Sequence, residues 1–215
     1  MKVNSYIDHT FLKPFATEKD VLQLCKEAKK HEFFSICINS CYVLFAKEQL
    51  SESEIAVCSV VGFPLGAMQS KAKIYETELA IKHGAAEIDT VLNVGYLKDG
   101  KYQDLKKELI QMKQLLGSNV LKVIIENCYL TDEEKRIACD LCVEAGADFV
   151  KTSTGFGSGG ATLADIRLMK KALQGQAKIK ASGGIRDFNT AQLLIKNGAD
   201  RLGTSNSVEI VTFSG

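Results

Sequence analysis

Short apolar segments alternate with longer amphipathic segments along the whole chain. The longer segments repeat apolar residues every three or four positions, which is typical of helices that pack one face on a core. The short segments have the length and composition of buried strands. The eight predicted strands are SYIDHT, FFSICIN, IAVCSVVGF, EIDTVLNVG, LKVIIEN, FVKTSTG, KIKASGG and RLGTS. The predicted helices between them are TEKDVLQLCKEAKKHE, CYVLFAKEQL, SKAKIYETELAIKHG, KYQDLKKELIQMKQLLG, TDEEKRIACDLCVEAG, TLADIRLMKKALQ and DFNTAQLLIKNG.

This alternation predicts the fold class. Strands that are separated by helices form parallel sheets, which places the chain among the α/β folds. Eight such units favour a closed (β/α)8 TIM barrel, which we expect as a single domain over residues 1–215. A doubly wound open sheet is the alternative, but it usually has about five or six strands. The first strand-to-helix turn here, DHTFLKP, also lacks the glycine-rich fingerprint of that fold.

The charge balance argues against two classes of partner. Lys and Arg total 27 and Asp and Glu total 26, so no overall field attracts nucleic acid or an anionic membrane surface. The N-terminal MKVNSYIDHT has no apolar signal segment, and no run approaches the ~18 apolar residues of a membrane helix. We therefore expect a cytoplasmic protein without nucleic-acid or membrane partners.

The seven cysteines lie in apolar segments, which indicates reduced thiols rather than disulfides. The one C-x-x-C motif, Cys139 to Cys142, falls in a predicted amphipathic helix, and no second cysteine pair completes a zinc site. We therefore expect two core cysteines at this motif and no metal site in the chain.

Charged residues interrupt several of the predicted strands. Residues two apart in a strand face the same side, and in each of these strands the opposite face is apolar. Helices cover the outside of a TIM barrel, so the polar faces must point inward. Lysines delivered by three strands, together with Asp89 from a fourth, suggest a working site at the C-terminal mouth. The inward series are Glu87, Asp89, Val91 and Asn93; Lys122, Ile124 and Glu126; and Lys178, Lys180 and Ser182, with Lys151 on the sixth strand.

Buried lysine has two common catalytic uses, as a general base or as an amine that forms a Schiff base with a carbonyl. The amine must be neutral to act as a nucleophile. A second ammonium about 4 Å away repels a proton on the first by roughly 4 kcal/mol at an effective dielectric of about 20. The pairing of Lys151 with Lys180 therefore suggests that one lysine is the nucleophile and the other keeps it unprotonated.

Small residues follow the last three predicted strands. They form STGFGSGG, SGG and GTSN, which begin at residues 153, 182 and 203. Such turns expose backbone N–H groups to an anion, and the loops after strands seven and eight are the usual phosphate site of this barrel class. The sequence therefore predicts a phosphorylated small-molecule substrate.

Several motifs together resemble those of the deoxyribose-phosphate aldolase family. They are DHTFLKP, VVGFPLG, EID, KTSTGF, KIKASGG and RLGTSN, and they occur in order over essentially the whole chain. The resemblance implies a class I aldolase on a (β/α)8 barrel, which reversibly cleaves 2-deoxy-D-ribose 5-phosphate into acetaldehyde and D-glyceraldehyde 3-phosphate. It implies no metal and no organic cofactor. A homodimer is expected, since relatives are often dimers.

The resemblance also implies roles for particular residues. Lys151 is expected to form the Schiff base, Lys180 to be its cationic neighbour, and Asp89 to relay protons through water. Cys37 is expected in the site, in contact with substrate or in packing. The phosphate ligands implied by the resemblance are Gly183, Gly184, Gly203 and Ser205.

Other strand-end residues have interpretations that the sequence leaves open. Asp8 is either structural or a contact for a substrate hydroxyl, and we assign Lys122 to substrate binding because it faces inward. His9 is expected to position the end of the first strand by hydrogen bonding. Glu126 is expected to pair with a lysine.

The chain departs from some relatives around the expected phosphate site. Phe156 stands where some relatives have a lysine, and Arg186 is the candidate replacement for that cation. Asn206 stands where some relatives have a second serine. Only ten residues follow RLGTS, so the C-terminal helix is expected to be short or absent, without a terminal tyrosine to enter the site.

Two further functions remain open. The first is a Schiff-base sugar-phosphate aldolase that uses another carbonyl donor. The second is a sugar-phosphate-binding barrel without catalysis. The presence of both Lys151 and Lys180 with Asp89 argues against the second function, since a binding protein needs no neutral amine.

Overall fold

The structure is a computed structural model that describes residues 2–212. Its eight parallel strands pair in chain order and the last pairs with the first, so the sheet closes into a barrel. The predicted (β/α)8 fold is confirmed, and the open doubly wound sheet is excluded. The strands are β1 Ile7–Thr10, β2 Ser35–Ile38, β3 Ala56–Val61, β4 Glu87–Val91, β5 Val120–Ile124, β6 Phe149–Lys151, β7 Lys178–Ser182 and β8 Arg201–Thr204.

Every strand is followed by at least one helix. Among the described residues no helix is both long and apolar enough to cross a membrane. The helices are α1 Glu18–His31, α2 Val43–Gln49, α3 Ser70–Lys82, α4 Val94–Lys98, α5 Tyr102–Leu116, α6 Asp132–Glu144, α7 Leu163–Leu173, α8 Phe188–Asn197 and α9 Ser207–Thr212.

Local side-chain contacts determine where two of these helices begin. The Thr17 side chain accepts a hydrogen bond from the Asp20 N–H, and the Asp20 carboxylate accepts one from the Thr17 N–H at 2.8 Å. Thr131 and Glu134 form the same reciprocal pair at the start of α6. Each such cap stabilises its helix by about 1 kcal/mol, because it satisfies N–H groups that lack a partner in the first turn.

Alternation along the strands separates the apolar core from the polar interior of the barrel. Ile36, Ile88, Val123 and Val150 point away from the axis and are buried against the apolar faces of the helices. The opposite positions carry the charged residues. The main hydrophobic core is therefore the layer between strands and helices, and the barrel interior holds the charged side chains beside a small apolar cluster of Leu12, Cys37, Cys58 and Val60.

The structure ends β4 earlier than the sequence predicted. The strand stops at Val91, and Asn93 instead caps α4, because its side-chain oxygen accepts a hydrogen bond from the Tyr96 N–H at 3.1 Å. Asparagine competes in this way with strand hydrogen bonding. The prediction that Asn93 continues the inward series of Asp89 is therefore wrong.

A second strand also ends before the predicted point. β5 stops at Ile124, and Glu126 adopts a left-handed backbone conformation with φ 51°. This conformation costs roughly 1–2 kcal/mol for a residue with a side chain, so surrounding contacts must hold it. Glu126 therefore leaves the inward series of Lys122.

A short helix follows the last strand, as the sequence predicted. α9 extends over Ser207–Thr212 and packs against β1, where the Ser207 Oγ lies 2.9 Å from His9 Nδ1. The remaining residues 213–215 and residue 1 lie outside the described part of the chain. The domain limits 1–215 therefore stay a prediction.

A buried ion pair joins two helices outside the barrel. Lys73 of α3 lies 2.8 Å from Glu108 of α5, and the same ammonium donates a hydrogen bond to the Val91 carbonyl at 2.8 Å. A Cβ on Gly62 would lie only 2.9 Å from Lys73 Cε, so glycine is needed for the lysine to pass. The pair therefore ties α3 and α5 to the end of β4.

We predict that Glu108→Ala lowers the free energy of unfolding by about 3–5 kcal/mol, because it leaves the charge of Lys73 buried without its carboxylate. Glu144→Ala is the matched control, since it breaks the partly exposed pair that Lys106 of α5 forms at 2.8 Å. That loss should be at most about 1 kcal/mol. Urea unfolding measures both variants, and equal losses would contradict the prediction.

Candidate active site

A cluster of charged side chains fills the barrel toward the N-terminal ends of the strands. Arg201 of β8 lies 2.6 Å from Asp8 Oδ1 and 3.4 Å from Glu87 Oε2, and its guanidinium stacks over the ring of Phe34 with 3.4 Å to the centroid. Ser35 donates a further hydrogen bond to Asp8 Oδ1 at 2.7 Å. These contacts fix Asp8, whose other carboxylate oxygen faces Lys180.

Three lysines surround the carboxylate of Asp89 directly above this cluster. Lys122 Nζ lies 2.8 Å from Oδ1, while Lys151 Nζ and Lys180 Nζ each lie 2.7 Å from Oδ2. Because Lys151 Nζ and Lys180 Nζ contact the same oxygen, the distance between them is at most twice 2.7 Å. All four side chains are buried. The structure therefore brings together the residues that the sequence placed at the mouth, including the Lys151 and Lys180 pair.

The electrostatics of the cluster keep its groups ionised. Burial alone would raise the pKa of Asp89, but the three ammonium groups outweigh it and hold this pKa well below its ordinary value. Burial would lower the pKa of Lys180, but Asp8 and Asp89 outweigh it and raise the pKa above its ordinary value. The pKa of Lys122 is raised in the same way, against burial, chiefly by Asp89. Lys180 and Lys122 are therefore fixed cations, and Asp89 is a fixed anion.

The charges inside the barrel nearly balance. Three carboxylates, from Asp8, Glu87 and Asp89, contact Lys122, Lys180 and Arg201. Lys151 is a fourth basic group in this network. A protonated Lys151 therefore adds one positive charge in excess, whereas a neutral Lys151 leaves the network without net charge.

Asp8 and Lys122 lie deeper than their predicted role in substrate binding requires. Both side chains are wholly buried and form ion pairs. Burial alone would raise the pKa of Asp8, but the positive charges of Lys180, Lys122 and Arg201 outweigh burial and lower this pKa well below its ordinary value. These contacts favour a supporting role for both residues. Direct contact with substrate stays an untested prediction.

A pair of thiols lies beside the same carboxylate. Cys37 of β2 and Cys58 of β3 are register partners, and their sulfur atoms lie 3.9 and 3.1 Å from the two oxygens of Asp89. Lys122 Nζ also lies 3.3 Å from Cys58 Sγ. The sequence did not single out Cys58, although it lies two residues before Val60, the register partner of the inward-facing Asp89.

These two thiols and Asp89 form a cluster of possible metal ligands, whose donor atoms all lie within 4.8 Å of one another. No motif in the sequence indicates this cluster, and the expectation that the chain has no metal site stays a prediction. The ligands come from three strands that are distant in the chain, so no spacing motif reveals them. The C-x-x-C cysteines are a different case, because Cys139 and Cys142 are buried in the apolar core as predicted.

The loop that follows Lys151 is held by Glu126. Its carboxylate accepts a hydrogen bond from the Thr154 N–H at 3.2 Å and a short one from the Thr154 hydroxyl. The Phe156 N–H in turn donates to Thr154 Oγ1 at 3.0 Å. Within the described residues Glu126 forms no ion pair with a lysine, contrary to the expectation from sequence. It lines a cavity of roughly 80 Å³ beside Thr154 and Phe156.

The glycine loops meet at the mouth of the barrel. Gly183 and Gly184 have φ of 83° and 77°, and the chain at Gly160 passes so close to the Gly183 carbonyl that no Cβ fits there. A Cβ on Gly203 would lie 3.0 Å from Lys180 Cε, which explains the need for glycine on β8. Ser205 is exposed on the same side. The four predicted phosphate ligands therefore lie on β8 or on the loops after β7 and β8, and Gly203 lies against Lys180.

The residues that depart from some relatives lie on the rim. Phe156 is half exposed and packs edge-on against Phe63, with 5.4 Å between ring centroids. Arg186 is exposed two residues after Gly184. The structure shows no contact between Arg186 and another charged group among the described residues, so its proposed role as the replacement cation stays a prediction.

His9 has a positioning role, as predicted. Its ring points away from the site, where Nε2 lies 2.8 Å from Glu27 and Nδ1 lies 2.9 Å from Ser207 Oγ. Burial lowers the pKa of His9 against the opposing effect of Glu27. These contacts tie the end of β1 to α1 and α9.

The fold and site define a class of protein. A closed (β/α)8 barrel that holds a lysine amine against a second ammonium and a buried carboxylate, next to phosphate-type glycine loops, is typical of a Schiff-base enzyme acting on a phosphorylated carbonyl compound. Residues 2–202 match the model of the DeoC/LacD family aldolases. The chain belongs to this aldolase family.

Known proteins agree with this assignment over nearly the whole chain. A deoxyribose-phosphate aldolase of Brevibacillus brevis is 53% identical over 212 residues, which cover 99% of this chain and 96% of the relative. The solved structure "QR15, an Aldolase" is 41% identical with a TM-score of 0.94, covering 97% of this chain and 94% of that one. The tetrameric deoxyribose phosphate aldolase of Aeropyrum pernix is 32% identical with a TM-score of 0.89, covering 97% and 89%.

We predict that Lys180→Leu makes Schiff-base formation strongly dependent on pH. Removal of this cation favours protonation of Lys151, so little neutral amine remains near pH 7. The rate at which borohydride traps a small aldehyde on the protein should therefore be low near neutrality and rise about tenfold per pH unit toward a plateau.

The matched control is Lys178→Leu, two residues earlier on the same strand. Lys178 is exposed at the opposite end of the barrel and lies over the Phe149 ring at 5.6 Å. This variant should keep the wild-type profile. If Lys180→Leu also kept the wild-type shape at reduced height, the electrostatic role of Lys180 would be refuted.

Proposed function

We propose that this chain catalyses the reversible cleavage of 2-deoxy-D-ribose 5-phosphate into acetaldehyde and D-glyceraldehyde 3-phosphate through a Schiff base on Lys151. The observation that carries the proposal is the contact of Lys151 and Lys180 with the same oxygen of Asp89. Membership of the aldolase family supports the reaction type. The full-length similarity to the Brevibacillus brevis deoxyribose-phosphate aldolase supports the substrate.

The covalent step begins with the neutral amine of Lys151. The amine attacks the C1 aldehyde of the open-chain sugar, and the resulting carbinolamine takes up one proton from water and loses its hydroxyl as water to give a protonated imine. The imine draws electrons from the C2–C3 bond, which breaks as the C3 hydroxyl passes its proton to water. D-Glyceraldehyde 3-phosphate leaves, and an enamine remains on the lysine. Protonation of C2 and hydrolysis then release acetaldehyde and restore the amine.

Lys180 supplies the fixed positive charge beside this amine. Its raised pKa, which Asp8 and Asp89 cause against burial, keeps it protonated throughout the cycle. We propose that its repulsion disfavours a second positive charge on Lys151. Lys122, Lys180 and Arg201 already neutralise the three carboxylates of the network.

Asp89 acts mainly through its charge. A carboxyl whose pKa is held well below the ordinary value is a poor store for a proton at neutral pH. It stabilises the positive imine that forms on Lys151, whose nitrogen lies 2.7 Å away before reaction. In the proton relay through water that the resemblance implies, Asp89 then anchors the water while the proton passes to substrate.

The distal phosphate is proposed to bind at the glycine loops. Gly183, Gly184 and Gly203 offer backbone N–H groups there, and Ser205 adds an exposed hydroxyl. Cys37 is proposed to contact the substrate near its carbonyl end, because its sulfur faces Asp89 at 3.9 Å. Asp8 and Lys122 are proposed to support the lysines from below.

The sugar phosphate is the proposed small-molecule partner, and we retain the homodimer as a proposal. The Aeropyrum pernix relative is described as a tetramer, so size measurement by light scattering decides between the two assemblies. A cytoplasmic location and the absence of metal and organic cofactors also stay proposals.

We predict that borohydride reduction in the presence of acetaldehyde attaches a two-carbon adduct to Lys151. The neutral amine of this residue is the nucleophile, whereas Lys122 and Lys180 are held as cations by their carboxylates. Peptide mapping by mass spectrometry locates the adduct, and Lys151→Arg provides the control that should give none.

An adduct on Lys122 or Lys180 alone, or no adduct, would refute the assignment of Lys151. The same trap run with dihydroxyacetone phosphate and with pyruvate tests the alternative carbonyl donors. Efficient trapping of either in preference to acetaldehyde would favour another Schiff-base aldolase. Trapping of none would favour a sugar-phosphate-binding barrel.

We predict that Gly184→Val raises the KM for the phosphorylated sugar at least tenfold and changes cleavage of unphosphorylated 2-deoxyribose little. Gly184 has φ 77°, which valine rarely adopts, so the loop must turn its N–H groups away from the phosphate. Gly175→Val is the matched control. It has φ 81° and equally open space around the Cβ position, but it lies at the other end of the barrel. Equal losses for both substrates would show damage to the fold instead.

A further inference from the structure

The hydroxyl of Thr204 joins two of the loops at the mouth of the barrel. Thr204 is the last residue of β8, and its side chain is buried. Its Oγ1 donates a hydrogen bond to the Ile185 carbonyl at 2.7 Å and accepts one from the Asn206 N–H at 3.0 Å. Ile185 directly follows Gly184, and Asn206 directly follows Ser205. One hydroxyl therefore sets the separation between the loop after β7 and the loop after β8.

The loop after β7 has no second tie of this kind on the side of β8. Among the described residues, no other side chain forms a hydrogen bond between residues 183–187 and 203–206. The support on the opposite side comes from the loop after β6, where the Ala161 N–H donates to the Gly183 carbonyl at 3.0 Å. Gly184 itself has open space around its Cβ position. The placement of Gly184 relative to Ser205 therefore depends on the Thr204 hydroxyl.

Thr204 is in turn fixed by contacts outside the barrel. The Ser207 Oγ lies 3.0 Å from the Thr204 carbonyl oxygen and 2.9 Å from His9 Nδ1, and both Ser207 and His9 are buried. His9 is the register partner of Thr204 on β1, and its Nε2 lies 2.8 Å from Glu27 of α1. These contacts anchor Thr204 to α1, so its hydroxyl has a defined position.

We propose that Thr204 is a positioning residue for the substrate phosphate, and that its hydroxyl determines how strongly the enzyme prefers a phosphorylated sugar to an unphosphorylated one. The hydroxyl does not donate to the phosphate, since its proton is taken by the Ile185 carbonyl. It acts through the donors of Gly184 and Ser205, which bind an anion well only when they converge on one point. The inference rests on the proposed function, because it requires the phosphate to bind at these loops.

The chemistry at Lys151 does not use this contact. Lys151 belongs to β6 and contacts Asp89. Gly203, which lies against Lys180, is held in the strand ladder by its register partner Ser182 rather than by the Thr204 hydroxyl. Loss of the hydroxyl should therefore weaken binding of the phosphate and leave formation of the Schiff base unchanged.

Steady-state kinetics of Thr204→Val test the inference, because valine has nearly the shape of threonine but no hydroxyl. The KM for 2-deoxyribose 5-phosphate should rise about five- to tenfold, the factor expected for one lost hydrogen bond, while kcat stays near the wild-type value. The kcat/KM for unphosphorylated 2-deoxyribose and the rate of borohydride trapping with acetaldehyde should not change. A role in stability alone would not divide the two substrates in this way.

Two variants provide matched controls. Thr204→Ser keeps the hydroxyl and should keep the wild-type KM for the phosphorylated sugar. Thr90→Val removes the hydroxyl of a wholly buried threonine on β4, whose Oγ1 has no hydrogen-bond partner among the described residues. This variant should match wild type with both substrates.

An unchanged KM in Thr204→Val, equal losses for both substrates, or a Thr204→Ser variant that behaves like Thr204→Val would each overturn the inference. If Thr204→Val does not fold, Ser207→Ala decides, because it removes the contact with the Thr204 carbonyl and keeps the Thr204 hydroxyl. Ser207→Ala should then show the same selective rise in KM, and its absence would overturn the inference. Wild type that cleaves neither sugar would instead refute the proposed function.

Discussion

The carboxylate of Asp89 is the point on which the interior of this barrel depends. An isolated carboxylate at that depth would cost several kcal/mol, and each lysine around it would cost as much alone. Together they are stable, because Lys122, Lys151 and Lys180 contact both oxygens at 2.7 to 2.8 Å. The four groups come from four different strands, so this compensation exists only when the barrel is closed.

The ion pairs around Asp89 form only in one strand register, and they therefore stabilise that register. Asp89 and Lys122 are register partners on β4 and β5, and Lys151 and Lys180 are partners on β6 and β7. A slip of one residue on any of these strands would turn its charged side chain toward the apolar layer under the helices. The same contacts that make the site reactive thus also specify the pairing of the sheet.

The loops above the strands depend on short polar contacts rather than on charge pairs. Glu126 holds Thr154 through its backbone and its hydroxyl, and this contact accounts for the strained backbone of Glu126. The chain at Gly160 closes against Gly183, where the Ala161 N–H donates to the Gly183 carbonyl at 3.0 Å. The mouth is thereby built as one unit from the loops after β5, β6 and β7, while its outer rim at Phe156 stays apolar.

The sequence by itself determined the eight strands, their order and the three lysines with Asp89, because periodicity and strand alternation are local properties. It did not show that Asn93 starts a helix, that Glu126 turns out of its strand, or that Cys58 meets Cys37. The Asn93 cap is a local contact with Tyr96, three residues away, which strand alternation does not distinguish from a continuing strand. Only the tertiary structure decided the other two features, because Thr154 and Cys37, the partners of Glu126 and Cys58, come from segments distant in the chain, and hydrophobic periodicity carries no information about such contacts.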